Sequence, residues 1–222
     1  MKNAVKSARV IVPALMLVGA VSVQAYEAGD VVLRAGYTSV SPNDDSSKLT
    51  INGDEIDAYV QVGDDAQLGL TVSYMVSSHW AVELLAATPF THDISSRELG
   101  VKVGEVSHLP PTLSALWYPL SAQSAWQPYL GLGVNYTHFF SESVDGELEG
   151  VIGPASMELD DSWGLAAQVG VDYMLNDDWL LNASVRYIDL STEAVIQSDT
   201  VTVETDVDID PYVYTLSVGY KF

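Results

Sequence analysis

Eight stretches of this chain alternate between apolar residues and small or polar ones. The last, 212–222, shows the pattern most fully: Tyr212, Tyr214, Leu216, Val218, Tyr220 and Phe222 are interleaved with Val213, Thr215, Ser217, Gly219 and Lys221. Successive side chains of a β-strand point to opposite faces, so one face of this segment is oily throughout and the other is not. The same two-residue period runs through 31–40, 67–74, 81–88, 112–118, 130–137, 163–173 and 179–187. A single strand of this kind also suits the edge of a soluble sheet with one buried face, because alternation is a weak signal per segment.

The connections narrow the choice. Long polar stretches (41–65, 91–107, 141–161 and 191–208) alternate with short links at 76–79, 121–126 and Asn176-Asp177-Asp178. A soluble sandwich has no reason to sort its loops by length onto one end. An outer-membrane barrel does so, with short periplasmic turns and longer outer loops. Aromatics gather at the strand ends (Tyr74, Trp80, Trp117, Trp126, Tyr173, Trp179, Tyr220, Phe222), as an interfacial girdle requires. The pattern predicts an all-β fold, an eight-stranded antiparallel transmembrane β-barrel with long extracellular loops and short periplasmic turns. Its first strand should close on its last. Tyr220 and Phe222 are the expected assembly signal for the barrel assembly machinery.

Residues 1–25 read separately. Lys2, Lys6 and Arg9 precede an apolar run that ends in Val23-Gln24-Ala25, the form of a cleaved secretory signal peptide. The barrel domain is then 26–222, in the outer membrane of a Gram-negative cell. The chain has no cysteine and a formal charge of −21. Removing the leader takes away three basic residues and no acid, which leaves six Lys and Arg against 30 acids, a net −24. Such acidity argues against a nucleic-acid partner, since phosphate contacts need clustered Lys and Arg.

An eight-stranded barrel is just wide enough for its own side chains to fill. Five charges share the inward parity: Arg34, Glu83, Asp172, Arg186 and Lys221. Confined together they should pair, either as a static ion-pair plug or as a path for protons or ions. Above them, Val40, Pro89, Phe139, Ile188 and Val213 are expected to line an apolar outer chamber. Pro89 ends the third strand, and Pro110 and Pro111 begin the fourth. Proline cannot donate to a ladder. These three therefore either mark a weakened lateral seam in the wall or simply end the strands.

Several blocks carry a family likeness, among them Gln67-Leu68-Gly69-Leu70-Thr71, His108-Leu109-Pro110-Pro111-Thr112-Leu113, Pro128-Tyr129-Leu130-Gly131-Leu132-Gly133 and the closing Gly219-Tyr220-Lys221-Phe222. In matching order along nearly the whole mature chain, they resemble the outer membrane protein W (OmpW) family. The resemblance implies an eight-stranded barrel with a narrow, partly hydrophobic interior. Its alkane-uptake branch further implies passive entry of small hydrophobic molecules.

Acids crowd the outer connections: Asp44, Asp45, Asp54, Glu55 and Asp57, then Glu142, Asp145, Glu147, Glu149, Asp160 and Asp161, then Asp206, Asp208 and Asp210. They form either a solvated face or carboxylates holding divalent cations that bridge lipopolysaccharide. No resident metal or cofactor is expected. His79, His92, His108 and His138 lack zinc-ligand spacing, although His92 and His108 could meet at the outer surface. No nucleophile elbow or phosphate loop is present, so no catalytic residue is assigned. The expected function is passive entry of small hydrophobic solutes with lateral release into the membrane. The alternatives are a structural or adhesive barrel working through its acidic loops, and an outer-membrane lipid enzyme.

Overall fold

The structure, a computed structural model, describes residues 24–96 and 98–222. The leader expected at 1–25 lies almost wholly outside them. Eight strands form the wall: β1 (Val31–Ser41), β2 (Asp65–Ser77), β3 (Trp80–Ala87), β4 (Thr112–Trp117), β5 (Trp126–Val144), β6 (Ser162–Met174), β7 (Trp179–Ile188) and β8 (Tyr212–Lys221). Each pairs antiparallel with its neighbours, and β4 pairs with both β3 and β5. β1 closes on β8 from Val32 opposite Lys221 to Ser41 opposite Tyr212. Closure joins the first strand to the last, so neither is left as an open edge at membrane depth, where an unpaired backbone group would find no water.

The burial is that of a membrane protein. Leu132, Leu165 and Leu216 point outwards at 73%, 67% and 64% exposure, while Arg34 and Asp172 point inwards at 2% and 0%. A belt of aromatics rings the periplasmic end. Trp80 lies 6.5 Å from Trp117, Trp126 4.6 Å from Tyr173, and Trp179 5.0 Å from Tyr220. At the other end Tyr136 packs on Trp163 and Tyr187 on Tyr212, marking the upper interface.

The long connections are not the polar stretches that composition suggests. They carry strands of their own: Phe90–Ser96, Val101–Leu109, Ala155–Leu159, Ser191–Ser198 and Thr202–Asp208, with a short helix at Gly146–Ile152. β5 runs on past the barrel and pairs there with Val101–Leu109, His138 lying opposite Leu109. These outer sheets enclose an apolar core that includes Leu49, Ile94, Val103, Val106, Met157, Ile196 and Val207. The acids sit on the alternate, outward positions. Asp206 and Asp208 are exposed while Val207 between them is buried. Alternation was present here too, hidden by the number of carboxylates.

Small radius demands close backbone approach. A Cβ at Gly36 would strike the Leu216 carbonyl oxygen and the Ser217 Cα, both main chain and unable to yield. Gly36 faces Ser217 across the closing pair and Gly69 across β1–β2. Gly36→Val should therefore obstruct closure. The expected result is a clear fall in the folded fraction on heat-modifiable gel mobility after refolding, with Gly36→Ala intermediate.

Candidate functional site

Four inward charges from four strands meet in the bore. Arg34 (β1) grips Asp172 (β6) with two nitrogens, Nη2 to Oδ2 at 2.6 Å and Nε to Oδ1 at 3.1 Å. Its Nη1 reaches Glu83 (β3) at 3.2 Å and Ser73 at 2.7 Å. Arg186 (β7) holds the other Glu83 oxygen at 3.0 Å. Two cations and two anions therefore cancel. Neutral partners complete the cluster: Gln168 donates to Glu83, Asn182 to Asp172, and the Tyr129 hydroxyl accepts from Asn182. Just above, the bore narrows to a space of about 10 Å³ among Arg34, Thr71, Glu83 and Arg186, roughly one water molecule.

Lys221, the fifth inward charge, does not join this cluster. Its Nζ donates to the Gln24 and Ala25 carbonyls at the periplasmic rim and lies 3.8 Å from Asp30. The last pair of the strand puts it too low to reach the others. In its place Tyr26 enters from below. Its ring is fully buried against Tyr118, and its hydroxyl donates to Asp172 at 2.6 Å. Ser73, Tyr118, Gln168 and Asn182 share the inward parity and were open to prediction on that ground. Tyr26 lies before the first strand, where no period could mark it.

Above the cluster lies an apolar cavity of about 250 Å³. Val40 and Phe139 line it, and Ile188 and Val213 are buried in the same apolar cluster. Pro89 is exposed instead, and Phe90, 1% exposed, takes the inward place. The inward parity slips by one residue at Thr88-Pro89: Leu85 faces in below, Phe90, His92 and Ile94 above. By comparison, an engineered cavity of about 150 Å³ admits benzene.

The three prolines flank a gap in the wall, Pro89 on one side and Pro110 and Pro111 on the other. β3 and β4 are paired up to Leu85 opposite Thr112, and pairing resumes only at Phe90 opposite His108. Between these points, residues 86–89 and 109–111 share no ladder pair. Each side is tied to its far neighbour: the Thr88 N–H donates to the Leu68 carbonyl, and the Pro111 carbonyl accepts from the Tyr136 N–H. Asn135, wholly buried, donates its side-chain amide to the Pro110 and Pro111 carbonyls at 3.2 and 3.3 Å. Sequence reasoning missed this residue, a polar inward side chain standing in for backbone donors.

His92 and His108 also meet, but in the interior rather than at the surface. Their Nε2 atoms are 2.9 Å apart, beside Phe90 and Phe139. Burial lowers both, His108 to about 3. Below them Asp65 accepts from the Thr91 and Ala66 N–H groups and from Gln67, which holds its carboxyl below the usual range despite partial burial. Among the described residues no three His, Cys, Asp or Glu side chains gather as metal ligands. Asp206 and Asp208 face solvent, while Asp210 accepts from Tyr187 and from the Leu190 N–H.

A closed eight-stranded wall, oily outside, with aromatic belts at both ends, defines an outer-membrane β-barrel protein. The chain belongs to the OmpW family, whose model matches residues 27–222. It is 46% identical over 202 residues to outer membrane protein W of Vibrio cholerae, covering 89% of this chain and 91% of that one. Outer membrane protein AlkL of Ectopseudomonas oleovorans is 33% identical over 202 residues, covering 89% and 84%. The crystal structure of OprG from Pseudomonas aeruginosa superposes with a TM-score of 0.86 at 43% identity, covering 90% of this chain and 99% of that one.

Two outcomes test this geometry. Glu83→Ala leaves two buried guanidinium groups short of a partner and should cost about 3–5 kcal/mol, whereas Lys221→Ala, which strands no buried charge of the cluster, should cost less, about 1–2 kcal/mol. Urea unfolding followed by tryptophan fluorescence in micelles separates the two. Secondly, His92 and His108 bind protons less readily folded than unfolded. Their contribution is complete above about pH 6.5 and is lost as pH falls towards 3, with Asp65 acting in the same sense below about 4. Amide exchange at 90–109, corrected for intrinsic rates, should therefore be faster at pH 5 than at pH 7.

Proposed function

We propose that this barrel gives small hydrophobic molecules a passive route across the outer leaflet barrier. They enter the apolar chamber from outside and leave sideways into the membrane between β3 and β4. The observation that carries this reading is the stacking of three features: an apolar cavity, a neutralised plug beneath it, and an unpaired stretch of wall at the height between them. A solute held above the plug has no way down. The wall at 86–89 and 109–111 offers the least backbone hydrogen bonding to disrupt. The static plug is the reading that its mutually paired charges favour over an ion path.

In this reading the leader is cut after Ala25, which takes the Gln24 and Ala25 carbonyls from Lys221 and leaves it Asp30, and the barrel works without catalysis or cofactor. Its outer carboxylates are available to divalent cations shared with lipopolysaccharide phosphates, and Tyr220 and Phe222 are presented to the barrel assembly machinery. A structural or adhesive barrel acting through its acidic surface is the alternative, but it gives no purpose to an apolar cavity.

Restoring backbone donors to the seam tests the route. Pro89→Val combined with Pro110→Thr and Pro111→Thr should cut uptake of a small apolar tracer into outer-membrane vesicles at least several-fold, with polar tracers unaffected. If the seam is shown to be paired and uptake is unchanged, the lateral exit is wrong.

A further inference from the structure

The histidine pair carries a proton arrangement that the packing dictates. A carbonyl oxygen can only accept, so the His92 Nδ1 facing the Gly63 carbonyl is the protonated nitrogen. Burial keeps the ring neutral, and its Nε2 is then a bare acceptor. The His108 Nε2, 2.9 Å away, must supply the proton between them. That leaves the His108 Nδ1 as a lone pair. It is buried and has no hydrogen-bond partner among the described residues. The His108 ring lines the apolar chamber, two residues before Pro110 at the seam.

Resting on the transport reading above, we propose that the chamber selects apolar ring compounds bearing a single O–H or N–H, phenols or indoles rather than plain hydrocarbons, with the His108 Nδ1 as the acceptor. Apart from His92, His108, Thr192 and Thr205 the cavity wall is apolar. One unsatisfied acceptor asks for one donor. A hydrocarbon leaves that acceptor unmet, whereas a phenol whose hydroxyl moves in beside the His108 ring satisfies it. Buried polar groups discriminate in this way because leaving them unpaired is costly.

The test compares 4-ethylphenol with ethylbenzene, which differ by one hydroxyl. Dissociation constants for both are measured on the full barrel in nanodiscs, for the wild type and for His108→Phe, which keeps a ring of similar size without the acceptor. Taking the ratio of ratios cancels the phenol's greater cost of leaving water. The wild type should favour the phenol by about tenfold relative to the variant. A ratio unchanged by the substitution overturns the assignment while the transport reading stands. If neither compound binds the wild type, both the assignment and the transport reading fall. Nitrogen NMR of histidine-labelled wild type is a second readout that needs no variant. The His108 Nδ1 should be unprotonated in the free protein and shift with 4-ethylphenol but not with ethylbenzene. A protonated Nδ1 in the free protein overturns the proposal.

Discussion

Everything in this barrel depends on where Arg34 puts its charge. A guanidinium cannot shed its proton, and this one is 2% exposed inside a closed wall. It has to be met by carboxylates, and it is, on two sides. Asp172 and Glu83 stand on strands far apart in sequence, 138 and 49 residues away. The pairing is therefore also a tie across the bore. Arg186 then answers the second Glu83 oxygen, so no anion in the cluster is left in excess. Replacing such a set with well-packed apolar side chains often stabilises a protein rather than weakening it. Its value here is better seen as closure: four charges of zero sum, paired with one another across the bore.

A stopper at mid-depth turns a tube into a cup. The part of the wall above it then matters most, and there the backbone is irregular. Two prolines in succession remove two donors from one side, and the parity slip at Thr88-Pro89 withdraws the other. The resulting gap would be a liability in lipid if its carbonyls went unmet. Asn135 meets two of them from the inside. These bonds tie the Pro110-Pro111 side to β5 and do not cross the gap, so no ladder pair and no Asn135 bond joins 86–89 to 109–111.

The wall was legible in the sequence because its period is two and one face meets lipid. All eight strands lie where the alternation puts them, and the belts lie where Trp and Tyr accumulate. The charges Arg34, Glu83, Asp172 and Arg186 follow from the same parity. Lys221 shares that parity yet stands apart, because parity gives the face of a strand and not the height at which a long side chain ends. Pro89 fails for a related reason: the strand breaks at Thr88-Pro89, and counting by twos past the break puts Pro89 on the wrong face. Tyr26 and Asn135 needed three dimensions, since one sits outside any strand and the other bonds to carbonyls 24 and 25 residues away.

The outer half shows why composition misleads. At −21 the chain looks as if its long connections should be solvated and featureless. The carboxylates are instead spent on one face of real strands, and the opposite face carries Ile94, Val103, Val106, Ile196 and Val207 inwards. Mutual repulsion among surface acids is tolerable in water and salt. It also discourages a second barrel from docking on these exposed outer strands, which an oily surface would invite. The apolar residues are thus free to form a cavity rather than a contact patch. An acidic exterior and an apolar interior are two sides of the same alternation, which lets an oily chamber stand in water above the membrane.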